Sequence, residues 1–92
     1  MRWKLATTAS FDRRARKLLT KHPDLKERFA ETLEKLSTDP FDPGLRLHPL
    51  SGKLEGLQAV SLTYSYRITL TLQIMEHEIL LVDIGSQDEV YG

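Results

Sequence analysis

Tyr66-Arg-Ile-Thr-Leu-Thr-Leu-Gln-Ile74 alternates residue by residue along its whole length. Tyr66, Ile68, Leu70, Leu72 and Ile74 fall on one side of an extended chain, and Arg67, Thr69, Thr71 and Gln73 fall on the other. That two-residue period marks a strand with one buried face. Downstream, Met75-Glu-His-Glu78 predicts a turn, and Ile79-Leu-Leu-Val82 is apolar on both faces, as a strand with neighbours on each side must be. Upstream, residues 57–62 predict a further strand, and residues 45–50 a weaker one leading into the Ser51-Gly52 turn. If 57–62 and 66–74 pair as a hairpin, Ser61 and Arg67 project from the same side, opposite Val60, Leu62 and Ile68.

The first half of the chain has a different period. After a short alternating strand at 2–7, with Trp3 and Leu5 on one face, Phe11, Ala15, Leu18 and Leu19 recur at helical spacing, and Thr8 or Ser10 is available as N-cap. His22-Pro-Asp24 restarts a helix whose stripe is Leu25, Phe29, Leu33 and Leu36, because proline suits the first helical position and aspartate the positive end of the dipole. Asp24/Arg28 and Glu31/Lys35 stand four apart in the favourable order. Asp39-Pro-Phe-Asp-Pro-Gly44 ends the helical half. The order β-α-α-β-β-β predicts an α+β fold: a mostly antiparallel sheet with a helical hairpin packed on one face, in a single domain over 1–92.

With 92 residues the chain has surface enough for one core and no large internal cavity, so a site is expected in a surface groove. Cysteine is absent, which removes disulfides and thiolate metal sites and fits a reducing cytoplasm. Neither a signal-peptide pattern nor an 18-residue apolar run is present, so no membrane partner is expected. The net charge of zero conceals a division. Residues 1–28 hold nine Lys/Arg against three Asp/Glu, and the remainder four against ten. A basic half of this kind attracts phosphate backbones or an acidic protein, or is simply a solvated helix face.

His22, His48 and His77 are too widely spaced to suggest a metal site, so no metal and no cofactor is expected. No nucleophile elbow or phosphate-binding glycine loop occurs. What remains is Arg67 with Ser61 beside it on the polar side of the hairpin, since an arginine within an apolar strand needs solvent or an anion.

Leu47-His-Pro-Leu-Ser-Gly-Lys-Leu-Glu-Gly56, Tyr66-Arg-Ile68 and Leu80-Leu-Val-Asp-Ile-Gly-Ser-Gln-Asp-Glu-Val-Tyr91 resemble the RelE/ParE toxin superfamily, in particular its RelE/StbE and YafQ-like branch. The resemblance implies a small toxin that cleaves messenger RNA, usually on the ribosome, and is neutralised by a cognate antitoxin protein. In the ParE branch the target is DNA gyrase instead. Metal-free RNA cleavage uses the ribose 2′-hydroxyl as nucleophile and needs a proton acceptor, a proton donor and cations for the developing phosphorane charge. His48 matches the family histidine of His-Pro-Leu; apart from the resemblance it is a loop residue beside Pro49. Arg67 matches the arginine of Tyr-Arg-Ile, as a phosphate clamp or as a brace to Asp83 or Glu89. Tyr91 matches a terminal tyrosine that contributes to the site in some relatives and otherwise packs the last strand. Lys53 and the helical Arg13, Arg14 and Lys17 are the expected backbone contacts to RNA.

The departures are at Ser61 and Gln87, where many relatives carry arginine or histidine, and at Ser65, where YafQ-like relatives carry a carboxylate. Neither serine nor glutamine moves protons as imidazole does or supplies charge as guanidinium does. The expected activity is therefore a weak or ribosome-dependent messenger RNA endonuclease. The alternative is a non-enzymatic binder, either a gyrase poison or a decayed toxin that keeps its antitoxin.

Overall fold

The alternating stretch forms β4 (Tyr66–Gln73) in the computed structural model of the chain, which describes residues 2–86. β5 (Glu78–Ser86) returns antiparallel to it, and β3 (Gln58–Ser61) pairs on its other side, with Val60 opposite Ile68 and Ser61 opposite Arg67 as the hairpin reading expects. The weak candidate at 45–50 shrinks to β2, His48–Pro49, paired with β3. Its first half is lost because Pro43–Leu45 winds into a 3-10 turn and Arg46 then takes a left-handed backbone.

β1 (Lys4–Thr7) pairs with β5 in parallel, so the sheet order is β1-β5-β4-β3-β2. Among the described residues, three of the four strand pairs are antiparallel, as the sequence reading expects, and the β1–β5 pair is parallel. Thr8 closes that pair and opens the helices. Its N–H donates to the Leu81 carbonyl and its hydroxyl to the Val82 carbonyl, while the same oxygen accepts from Phe11 N–H as the N-cap of α1 (Ala9–Lys21). The other end of β1 is held at the β4–β5 turn, where Lys4 N–H donates to His77 carbonyl and the Trp3 ring stacks on His77 at 4.1 Å.

The helical restart at Pro23 is a 3-10 turn, Pro23–Leu25, and α2 proper is Lys26–Thr38. Asp24 therefore precedes the regular helix and its four-residue relation to Arg28 is broken. The ion pairs among described residues instead tie elements together, Arg2 to Glu34 and Arg14 to Asp83, and neither helical pair is formed. Phe11 and Ala15 of α1 and Leu36 of α2 are buried on the sheet face that carries Val60, Ile68, Leu70, Ile79, Leu81 and Ile84. No helix among the described residues is long and apolar enough to cross a membrane.

A bulge in β5 makes that shared face possible. Leu70 pairs with Leu81, but Thr69 pairs with Asp83 and Ile68 with Ile84, so Val82 is extra. Had the ladder stayed regular, Asp83 would oppose Ile68 in the core and Ile84 would turn outward. An unpaired carboxylate buried there would cost several kcal/mol, and one inserted residue avoids it.

Candidate functional site

Alternation along β3 and β4 sorts the polar residues onto the face away from the helices. His48, Ala59 and Thr69 lie in one cross-strand row, and Ser61 and Arg67 lie in a row two residues along. Two strand spacings and two residues of rise put the Cα atoms of His48 and Arg67 roughly 12 Å apart. The structure thus brings His48, Ser61 and Arg67 to one face. Gln87 and Tyr91 lie outside the described residues, as does Glu89, one of the two brace partners considered for Arg67. The other, Asp83, accepts from the Arg14 guanidinium at 2.9 Å and from Ile84 N–H.

The His48 ring is oriented by a neighbour that sequence reading passes over. Its Nδ1 lies 2.9 Å from the Arg46 carbonyl. A carbonyl only accepts, so Nδ1 carries the hydrogen, and in the neutral ring Nε2 keeps its lone pair. The left-handed conformation of Arg46, φ 56°, is the backbone setting that accompanies this contact. Nothing in Leu45-Arg-Leu-His48 signals it, because left-handed positions are ordinarily marked by glycine or asparagine.

Thr69 holds the middle of the His48 row. Only 2% of it is exposed, and its hydroxyl has no hydrogen-bond partner among the described residues. An orphaned buried hydroxyl costs about 1–3 kcal/mol. Thr69→Val, which keeps the shape and removes that group, is expected to raise the thermal midpoint by several degrees. A lower midpoint in a melting scan would show that the hydroxyl has a partner in solution.

Grooves open on both sides of the sheet near these residues. Residues 48–54 curl around one of about 470 Å³ that brings Lys53 beside His48. Ser61 opens on a second, of about 300 Å³, with Arg28, Arg46 and Tyr64. The third, about 420 Å³, is lined by Arg13, Arg14, Lys17 and Lys21 of α1 with His22, Tyr66 and Ile84. Tyr66 and Ile84 point to the helix side, so this basic groove flanks the same end of the sheet as Arg67 from the opposite face. Arg13, Lys17 and Lys21 therefore lie across the sheet from His48. Arg14 in addition is committed to Asp83. No group of three or more metal-ligating His, Asp or Glu side chains occurs among the described residues.

No protein-family model matches the chain, and no curated protein sequence matches it. Solved structures do. Escherichia coli YafQ is 15% identical with a TM-score of 0.81, over 98% of this chain and 99% of that one. A metal-bound toxin from Helicobacter pylori is 25% identical with a TM-score of 0.79, over 96% and 98%. The E. coli DinJ-YafQ toxin-antitoxin complex contains a chain 15% identical with a TM-score of 0.79, covering 100% of both.

Proposed function

We propose that this chain, which has the fold of the RelE/YafQ toxins, is the toxin of a type II toxin-antitoxin pair and a metal-free endonuclease of ribosome-bound messenger RNA. The observation that carries the reading is the setting of His48: an imidazole fixed through Nδ1 on the Arg46 carbonyl, on the same sheet face as Arg67. In the proposed reaction Nε2 takes the proton of a ribose 2′-hydroxyl as its oxygen bonds to the adjacent phosphorus. The bond to the 5′-oxygen breaks, leaving a 2′,3′-cyclic phosphate. Arg67 holds the non-bridging oxygens, whose charge grows in the transition state. The departing 5′-oxygen collects its proton from water, since Ser61 beside Arg67 is no acid, and this makes the enzyme slow. Lys53 adds a cation next to His48. The partner is a cognate antitoxin with an acidic segment, drawn to the basic first third of the chain.

Inspection of the gene's neighbourhood for a short reading frame, and co-expression with its product, test both halves of the proposal. A tight complex is expected, and toxin freed from it is expected to cleave transcripts on purified ribosomes. Arg67→Ala should still copurify with the partner and keep its melting temperature while cleavage falls by about 10² to 10³. If that variant unfolds, Arg67 is a brace. If it folds and cleaves as before, another group holds the phosphate. Ser61 favours one alternative, a binding protein whose catalysis has decayed, and a wild-type chain that binds the partner yet cleaves nothing would establish it.

A further inference from the structure

We propose that the groove between Arg28, Arg46 and Tyr64 is a subsite for one nucleotide of single-stranded RNA flanking the cleaved bond, its phosphate between the two guanidinium groups and its base on the tyrosine ring. This rests on the RNA reading above. The groove adjoins the candidate centre directly, because Ser61 lines it and pairs with Arg67 across the hairpin. Its volume of about 300 Å³ stands at the lower bound for sites that take small ligands, room for one nucleotide.

The two cations are available. Among the described residues neither Arg28 nor Arg46 has a carboxylate partner. Asp24, four residues before Arg28, is drawn into the 3-10 turn. Asp42, which borders the groove through Gly44, uses its carboxylate to cap the Pro43–Leu45 turn by accepting from Gly44 N–H. Arg46 sits at φ 56°, a left-handed backbone that non-glycine residues adopt only at a cost. That strained backbone aims its carbonyl at His48 while its side chain lines the groove, coupling the proton acceptor to the proposed phosphate contact.

The ring is presented rather than packed. Tyr64 is fully exposed, at 101%, on the tip of the β3–β4 loop. That loop is fastened beneath it. Thr63 Oγ1 accepts from the N–H groups of Ser65 and Tyr66, and the Leu62 and Thr63 N–H groups donate to the Tyr66 carbonyl. A side chain held in water on an ordered tip adds nothing to the core and offers a flat face to a base. Such stacking is sequence-tolerant. An acidic peptide would satisfy the arginines and leave the ring unused.

The probe is a 2′-O-methyl hexaribonucleotide, which lacks the nucleophile and stays intact, titrated into the ¹⁵N-labelled protein and followed by NMR. Amide shifts at Arg46, Thr63, Tyr64 and Ser65 are expected to move together. Tyr64→Ala should weaken binding about tenfold and Tyr64→Phe should not, stacking being the term removed. Arg28→Gln should lower the slope of log affinity against log salt by about 0.7, one phosphate contact on a single strand. Shifts confined to the Arg13, Lys17 and Lys21 groove would overturn the subsite and leave RNA binding standing. So would transcript cleavage on ribosomes with no shift at millimolar probe. Poly-glutamate giving the same shifts, indifferent to Tyr64, would make the groove a protein-docking surface and overturn it too.

Discussion

Under the proposed function, a His48→Asn protein is expected to fold like its parent and to lose about 10² to 10⁴ of the transcript-cleaving rate, the usual contribution of a positioned general base. The substitution separates the two properties of the imidazole. Asparagine can still donate an amide hydrogen to the Arg46 carbonyl, 2.9 Å from Nδ1 in the native ring, so the loop before β2 keeps its tie. It has no nitrogen that accepts a proton at neutral pH. His48→Ala removes both, and should lose the same rate with about 1 kcal/mol of stability besides, the worth of one neutral hydrogen bond. The measurements are single-turnover cleavage of a ribosome-bound transcript and a melting curve for each protein. Full activity in His48→Asn would remove His48 from the chemistry and return it to the role of a loop residue beside Pro49.

The second large effect is on the fold. Leu36 is completely buried, at 0% exposure, and belongs to the cluster through which the helices meet the sheet. Leu36→Ala is expected to cost about 2–5 kcal/mol, transfer and cavity together. Against the roughly 5–15 kcal/mol available to a small domain that is a large share. The thermal midpoint should fall by about 4–8 °C per kcal/mol. The denaturant midpoint should move with it at unchanged slope, and a shift of only a degree or two would mean that α2 is not anchored through Leu36.

What could be read from the sequence depended on period. β4 announces itself by alternation, and once it is placed, the Ser61 and Arg67 pair follows, since a hairpin leaves few registers that keep Val60 and Ile68 together. Phe11, Ala15 and Leu36 were legible for the same reason. Alternation tells which face a residue takes but not which way its neighbouring strand runs, so the parallel pairing of β1 was hidden. The bulge at Val82 was hidden too, because a single inserted residue leaves Ile79-Leu-Leu-Val82 looking like any central strand. Arg46, Tyr64 and the Thr69 hydroxyl escaped notice because each acts through a backbone setting or an exposure that residue type does not encode. The basic first helix was legible as charge, but its placement across the sheet from His48 is a matter of topology.

The pairing of β1 with β5 joins the two ends of the described chain, Lys4 opposite Glu78 and Thr7 opposite Leu81. A polypeptide leaving its ribosome N-terminus first therefore delivers β1 and both helices long before the strand that β1 must lie against. The face that Phe11 and Leu36 cover is completed only when Ile79, Leu81 and Ile84 emerge. Contacts so distant in sequence also form slowly once the chain is free. Assembly of the sheet thus waits until β5 has left the ribosome, and β1 and both helices spend that interval without their strand partner.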